Sequence, residues 1–134
     1  MPHIHVTCAI VERNGHVLAA QRSSTMKLPL KWEFPGGKIE EDETPRNCLQ
    51  REVFEELSLN VAIVCELSPV THQYPDFRIT LYPFICSTAS HEFKLREHSQ
   101  AFWLNLKALH ALDWAEADLP VLAAYSSWLE NGRQ

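Results

Sequence analysis

The sequence predicts an α/β protein, a layered sandwich of strands and two flanking helices. Short segments with strand-like alternation occur in both halves of the chain, one helix is predicted over residues 45–57, and a second over residues 119–129. Strands and helices that are combined in this way bury their apolar faces by stacking in layers. A chain of 134 residues has the length of one domain with its own core. We therefore expect residues 1–134 to form a single domain.

The N-terminal segment predicts a β-hairpin. Residues 3–12 alternate between apolar and polar side chains, as a strand does, and Asn14-Gly15 is typical of a tight hairpin turn. A second strand is predicted over residues 16–22. A loop over residues 23–31 then leads to a short strand, Trp32-Glu33-Phe34.

The middle of the chain predicts a glycine loop followed by a helix. Pro35-Gly36-Gly37 supplies a loop where the backbone can approach a ligand closely. Thr44 as the N-cap and Pro45 at the first helical position are a helix start signal. Apolar residues then repeat at intervals of four and form a stripe for core packing: Leu49, Val53 and Leu57.

The second half predicts further strands and the C-terminal helix. Residues 60–73 and 78–87 predict two strands, which the turn at Pro75-Asp76 joins into a hairpin. A short strand, Phe102-Trp103-Leu104, and a helical turn from Lys107 to Leu112 follow. The predicted C-terminal helix has a stripe that we expect to face the core: Leu119, Leu122, Ala123, Ser126 and Leu129.

Composition excludes several functional classes. The content of 46% hydrophobic and 22% charged residues is ordinary for a globular protein. No apolar run approaches the roughly 18 residues of a membrane span, and Met1 to Ile10 lacks the charge and apolar core of a signal peptide. The net charge of −5 argues against a nucleic-acid polymer as partner but allows a free nucleotide. The sequence leaves open whether the protein is a monomer or a homodimer.

Neither the cysteines nor the histidines predict a metal site. The four cysteines are scattered, without a Cys-x-x-Cys pair, so buried thiols in a reducing cytoplasm explain them better than zinc or disulfides. The seven histidines form no motif.

The run Arg51-Glu52-Val53-Phe54-Glu55-Glu56 is the most informative stretch of the chain. On a helix, Glu52, Glu55 and Glu56 stand at i, i+3 and i+4, within an arc of about 100°. Like charges at this spacing repel each other, so the face indicates a compensating cation. Oxygen ligands without histidine or thiolate favour a hard ion, Mg²⁺ or Mn²⁺. The alternative is a solvated acidic face.

This run belongs to a segment, residues 37–59, that resembles the Nudix box. Its fixed positions match Gly37, Glu43, Arg51-Glu52-Val53, Glu55-Glu56 and Leu59, and only Ser58 departs, because the family has glycine there. The flanks, Trp32 to Glu40 and Asp42 to Pro45, resemble the MutT branch, and Arg96-Glu97-His98 with Ala117-Asp118-Leu119-Pro120 is similar to bacterial CTP pyrophosphohydrolases. Ser58 either adopts the left-handed conformation, at a cost of order 1 kcal/mol, or the helix ends without it.

The resemblance implies the Nudix fold, a mixed sheet between helices, and a metal site. Glu52, Glu55 and Glu56, with the Gly36 carbonyl, would hold Mg²⁺, for which Mn²⁺ could substitute. Arg51 would orient a carboxylate of the box, and Glu43, near the helix N-terminus, would be structural. Glu97 matches a family position that acts as an extra metal ligand or a general base; the alternative is a solvated loop glutamate.

The resemblance also points to contacts with substrate. Arg22 matches a phosphate-binding arginine, and Lys38 beside the glycine loop could face phosphates; the alternative for both is an ordinary surface position. Phe34 and Tyr74 would wall the base site, although core packing explains aromatic residues on strands equally well.

Glu33 and Asp118 are the candidates for reading the base. An ionised carboxylate accepts a hydrogen bond from an amino group such as cytosine N4, whereas a buried, protonated one donates to an oxo group. The MutT pattern has asparagine at the position of Asp118, so its preference for oxidised guanine does not transfer directly. The alternative for Asp118 is a cap of the C-terminal helix.

Together these residues predict a cytoplasmic, Mg²⁺-dependent pyrophosphohydrolase that sanitises the nucleotide pool. It would convert a nucleoside or deoxynucleoside triphosphate to the monophosphate and pyrophosphate. The leading substrates are 8-oxo-dGTP and the cytosine nucleotides CTP, dCTP and 5-methyl-dCTP. The alternative is a nucleotide-sensing or base-recognition domain that kept the fold without turnover.

Overall fold

The computed structural model describes residues 1–132, so the last two residues of the predicted domain lie outside the described residues. Within these described residues the chain forms seven strands and three helices. Their bounds are β1 His3–Arg13, β2 His16–Gln21, β3 Trp32–Glu33, α1 Pro45–Leu57, β4 Ala62–Glu66, β5 Val70–Gln73, β6 Arg78–Ser87, β7 Gln100–Leu104, α2 Leu106–His110 and α3 Asp118–Glu130.

The strands form one mixed sheet in the order β3-β2-β1-β6-β4, with β5 also paired to β6 and β7 to β2. β1 and β6 run parallel along their length, and the other strand pairs are antiparallel. The predicted mixed sheet is therefore confirmed. Among residues 1–132, no helix is both long and apolar enough to cross a membrane.

The prediction of one strand over residues 60–73 is wrong, because the segment forms two strands, β4 and β5. Pro69 stands directly before β5. Proline cannot donate to a strand ladder, and its fixed φ favours a break in the strand. The predicted hairpin across Pro75-Asp76 is confirmed, since β5 pairs antiparallel with β6.

Helices cover both faces of the sheet, and alternate residues of β1 belong to different cores. Ala9 and Val11 pack in a cluster with the α1 stripe of Leu49, Val53 and Leu57. Cys8 and Ile10 pack in the other cluster, with α2 and α3. The period of two along a strand explains this division.

The predicted stripe of the C-terminal helix is partly wrong. Leu122 is buried as expected, but Leu119 and Ala123 are exposed, and Ser126 and Leu129 are half-buried. The stripe that faces the core is Asp118, Val121, Leu122, Tyr125 and Trp128. The buried face is therefore displaced by one residue, or about 100° around the helix.

The ends of α1 match the sequence signals. The Thr44 hydroxyl accepts a hydrogen bond from the Asn47 N–H, and Pro45 occupies the first helical position. Ser58 ends the helix in the left-handed conformation, at φ 57° and ψ 30°. Of the two expectations for Ser58, the left-handed one is confirmed.

Candidate active site

The glycine loop is held against β1 and α1. Its backbone continues alongside β1, with hydrogen bonds from the Thr7 N–H to the Gly37 carbonyl (2.9 Å) and from the Ala9 N–H to the Pro35 carbonyl (2.7 Å). A Cβ on Gly36 would lie 1.9 Å from the Thr7 carbonyl oxygen. A Cβ on Gly37 would lie 2.1 Å from a carboxylate oxygen of Glu52. A side chain on Gly36 would therefore collide with the backbone of β1, whereas one on Gly37 would displace the Glu52 side chain of α1.

Arg51 organises the acidic face of α1. Its Nε and Nη2 donate to the two carboxylate oxygens of Glu43, at 2.6 and 2.9 Å. Its Nη1 donates to Glu52 at 2.8 Å and to Glu55 at 3.2 Å. The hydrogen bonds from Arg51 lower the pKa of Glu43 to about 2. Glu43 thus anchors Arg51, which in turn orients Glu52 and Glu55.

Glu56 faces away from this network. Its carboxylate accepts a hydrogen bond from the Gly36 N–H at 3.1 Å. Burial raises the pKa of Glu56 to about 8, and the charges of Glu33 and Glu52 act in the same direction, although His98 opposes them. Burial also raises the pKa of Glu52, against the opposing contact with Arg51. Negative charge at these two carboxyls is therefore incompletely compensated by the protein.

The box glutamates are neighbours, but they do not converge on one point. Among residues 1–132, no group of three or more histidine, cysteine or acidic side chains is arranged to hold a metal ion. Glu52 and Glu55 contact Arg51, whereas Glu56 contacts Gly36. The predicted ligand set of Gly36, Glu52, Glu55, Glu56 and Glu97 stays a prediction.

An open cavity of about 380 Å³ lies between the glycine loop, β1, the β5–β6 hairpin and the start of α3. It contains most of the side chains that the sequence singles out. The predicted residues on its wall are Arg22, Glu33, Phe34, Gly36, Lys38, Glu56, Tyr74, Glu97 and Asp118.

Glu33 is held from two sides on the cavity wall. One carboxylate oxygen accepts from Arg22 Nη1 at 2.8 Å, and the other lies 2.8 Å from His98 Nε2. The Arg22 side chain is 22% exposed, so it is a cavity residue and not an ordinary surface arginine. Burial lowers the pKa of His98, but its hydrogen bond with Glu33 and the charge of Glu33 produce a net increase.

Asp118 is the most deeply buried carboxyl of the cavity, with 5% of the residue exposed. Its Oδ2 accepts a hydrogen bond from the Phe34 N–H at 3.0 Å. Burial, with the nearby charge of Glu33, raises the pKa of Asp118 well above its ordinary value. The side chain makes no cap hydrogen bond to α3, and Ala117 is the N-cap residue. The alternative that Asp118 only caps this helix is therefore wrong.

Aromatic rings form part of the cavity wall. Phe34 packs on Trp114 with the ring centroids 4.6 Å apart, and Tyr74 stacks on Phe77 at 4.8 Å. The Tyr74 hydroxyl accepts a hydrogen bond from the Ala117 N–H at 3.0 Å. Phe34 and Tyr74 thus belong to the core, as the packing alternative expects, and they also line the cavity. Their contact with a base stays a prediction.

Glu97 and Lys38 lie at the mouth of the cavity. Both residues are exposed and both contribute to its wall. This position suits a group that contacts the charged end of a ligand, and it also suits a solvated side chain.

Sequence reasoning missed several contributors to the site, and three of them make contacts with its ring or charged side chains. His98 is buried against Glu33, Phe77 stacks on Tyr74, and Lys27 places its amino group 4.9 Å from the Phe77 ring centroid. Phe77 stands close to Tyr74 in the predicted hairpin, and this spacing could have predicted that the two rings lie together. No pattern of spacing marks His98 as buried, because its neighbours in the loop are exposed.

Comparison with known proteins identifies the family of this fold and site. The model of the NUDIX domain matches residues 1–125. The 8-oxo-dGTP diphosphatase of Proteus vulgaris is 34% identical over 97 residues, which are 72% of this chain and 87% of that protein. The CTP pyrophosphohydrolase of Escherichia coli K12 is 31% identical over 125 residues, 93% of each chain.

A solved structure shows the same fold. The crystal structure of a MutT protein from Methanosarcina mazei Go1 superposes with a TM-score of 0.85 at 20% identity, covering 99% of this chain and 97% of that one. At this identity the likeness concerns the fold alone. It agrees with the mixed sheet between helices.

Proposed function

Because the chain belongs to the NUDIX domain family and is a hydrolase of that family, we propose that it is a Mg²⁺-dependent pyrophosphohydrolase of nucleoside triphosphates. It would release pyrophosphate and the nucleoside monophosphate. The observation that carries the proposal is the single cavity in which Glu56 and Gly36 lie beside Arg22, Glu33 and Asp118. Glu56 of the box and the adjoining Gly36 thus share one space with groups suited to phosphate and base.

The donor set fits a hard divalent cation, which Nudix hydrolases generally use. Glu52, Glu55 and Glu56 offer only carboxylate oxygens, as Mg²⁺ prefers, and Mn²⁺ can substitute. The Gly36 carbonyl and Glu97 complete the proposed set. A bound cation would neutralise charge on phosphate oxygens and assist the activation of water. Arg51 would hold Glu52 and Glu55 in orientation through the hydrogen bonds described above.

Arg22 supports a phosphate-binding role because a guanidinium is suited to anionic oxygens. Its contact with Glu33 fixes the side chain on the cavity wall. Lys38 at the mouth would add positive charge for the outer phosphates. These two positions suit the charged end of the substrate, while Phe34 and Tyr74 would line the space for the base.

Glu33 and Asp118 support recognition of a base edge with one donor and one acceptor. Glu33, between Arg22 and His98, offers an acceptor, whereas the raised pKa of Asp118 favours the protonated carboxyl, which can donate. Cytosine offers such an edge through the N4 amino group and N3. Oxidised guanine does so too, because the 8-oxo form carries a proton on N7 beside O6, where guanine has two acceptors. This complementarity supports 8-oxo-dGTP and the cytosine nucleotides CTP, dCTP and 5-methyl-dCTP as the proposed substrates.

The test is a substrate panel with Mg²⁺ that reports monophosphate and pyrophosphate separately. We expect turnover of 8-oxo-dGTP or a cytosine nucleotide above that of dGTP, and loss of turnover in excess chelator. Glu56→Gln removes a proposed ligand charge and should lower kcat about 100-fold or more with the fold intact. The matched control is Glu66→Gln, since Glu66 is exposed on β4. Turnover that survives both chelator and Glu56→Gln would refute the metal-dependent mechanism.

A further inference from the structure

His98 is a buried side chain in an exposed segment. Of the residues between Ser87 and Gln100, all of which the structure describes, His98 alone is buried, with its side chain 1% exposed. Its neighbours Glu97 and Ser99 are exposed. Burial of an imidazole costs free energy unless its nitrogens find partners. The position therefore calls for an explanation beyond surface loop chemistry.

The hydrogen bonding of the ring is directed at Glu33. Nε2 lies 2.8 Å from Glu33 Oε2, whereas Nδ1 is buried without a hydrogen-bond partner among the described residues. Arg22 binds the other oxygen of the same carboxylate at 2.8 Å. Two donors on opposite oxygens leave the carboxylate little freedom to rotate.

We propose that His98 is a positioning residue for base recognition: its Nε2 hydrogen bond fixes the Glu33 carboxylate in the orientation that accepts a donor from the base. The proposal rests on the proposed function, because it assigns Glu33 to the base. His98 does not contact substrate itself, and it acts through Glu33. Arg22 alone restrains one oxygen, so loss of His98 would let the carboxylate turn about that contact.

The expected phenotype is a change in base ranking. His98→Ala should lower kcat/KM for the preferred nucleotide about 5- to 150-fold, the range for a misplaced buried partner of a base group. A poorly used nucleotide should change less, so the ratio between the two falls. His98→Gln should retain most of the preference because its amide nitrogen can take the place of Nε2. His98→Asn should lose the preference, because the amide nitrogen of asparagine lies at the position of Nδ1 and is too close to the backbone to replace Nε2.

A double-mutant cycle with Glu33→Gln separates this role from structural support. If His98 acts through Glu33, His98→Ala should change kcat/KM by no more than about twofold once Glu33→Gln is present. If His98 only anchors the loop that carries Glu97, the full loss would persist in that background, which would overturn the proposal. The matched control is His91→Gln, an exposed histidine of the same loop, and thermal unfolding of every variant confirms folding.

Binding of nucleoside monophosphates, measured by titration calorimetry, distinguishes a failure of the proposed hydrolase function from a failure of the positioning role of His98. If the protein hydrolyses no triphosphate, the proposed function fails. Weaker binding of the preferred monophosphate by His98→Ala, restored by His98→Gln, would still support the positioning role. Active wild-type protein whose base ranking is the same in His98→Ala would overturn the inference and leave the proposed function standing.

Discussion

Asp118 offers the sharpest test of how this cavity reads a base. It is buried, its Oδ2 accepts from the Phe34 N–H, and burial raises its pKa well above the ordinary value. Burial therefore favours the protonated carboxyl, in which one oxygen accepts and the other can donate. Asparagine reproduces both roles through its carbonyl and its amide nitrogen. Alanine reproduces neither.

The structure sets the expected magnitude. Asp118→Ala removes the partner of a base group in a buried site, which costs about 1–3 kcal/mol, or about 5- to 150-fold in kcat/KM. We predict at least about a tenfold loss for the preferred base and little change for a poor substrate. The same substitution leaves the Phe34 N–H unpaired, so thermal stability should fall as well. Asp118→Asn should keep both the stability and the turnover of a substrate that presents an oxo acceptor.

The assay is kcat/KM for 8-oxo-dGTP, dGTP, CTP and dCTP with each variant, beside thermal unfolding. Asp113→Asn is the matched control, because Asp113 is an exposed aspartate that pairs with Lys31. If Asp118→Asn loses as much activity as Asp118→Ala, the protonated donor is refuted. If both variants lose stability with the substrate ranking unchanged, Asp118 has no part in base recognition.

The raised pKa of Asp118 also predicts a pH dependence of stability. Below the ordinary aspartate pKa the side chain is protonated in both folded and unfolded chains, and its contribution to stability is complete. As the pH rises above about 4, the unfolded chain releases this proton and the folded one does not, so stability is lost up to the folded pKa. Asp118→Asn cannot titrate. Its free energy of unfolding relative to wild type should therefore increase as the pH rises above about 4, and a constant difference would contradict the raised pKa of Asp118.

Three further substitutions test other parts of the site. Arg22→Ala should raise KM for the triphosphate several-fold with kcat nearly unchanged, and an unchanged kcat/KM would limit Arg22 to holding Glu33. Gly37→Ala should displace the Glu52 carboxylate and lower kcat. Gly36→Ala should instead lower the unfolding free energy, since its Cβ meets the backbone of β1. Equal unfolding free energies for the two variants would contradict this difference. Ser58→Gly should raise the unfolding free energy by about 1 kcal/mol in urea titrations with unchanged kcat. An unfolding free energy below that of the wild type would contradict the strain assigned to Ser58 at φ 57°.

Local signals in the sequence predict α1 and the first hairpin well. Thr44, Pro45 and the stripe of Leu49, Val53 and Leu57 act within one helix, and Asn14-Gly15 acts within one turn, so no distant contact is needed to read them. The two-strand split of residues 60–73 was harder to predict, because it depends on how Pro69 meets the partner strand β6. The misplaced stripe of α3 has a similar cause. Tyr125 and Trp128 are amphipathic, and only the surrounding core decides that they are buried.

The candidate site shows the same division between local and distant information. The spacing of Glu52, Glu55 and Glu56 is a helical property and could be read directly. The convergence of Glu33, His98 and Asp118 joins β3, the loop before β7 and the start of α3, which are far apart in the chain. Residue type and spacing contain no information on such contacts. The raised pKa of Asp118 is harder still to predict from the sequence, because burial in the folded protein causes it.

The acidic face of α1 needs a compensating cation, and the structure supplies one from within the chain. Arg51 binds Glu43, Glu52 and Glu55, and this accounts for a folded helix with like charges at i, i+3 and i+4. Glu56 lies outside this network, on the cavity side, where burial raises its pKa to about 8. The carboxyl that Arg51 does not reach is therefore the one that adjoins the proposed substrate. In the proposed site Glu52, Glu55 and Glu56 would hold a divalent cation, which would neutralise negative charge there, while Arg51 would keep Glu52 and Glu55 in orientation.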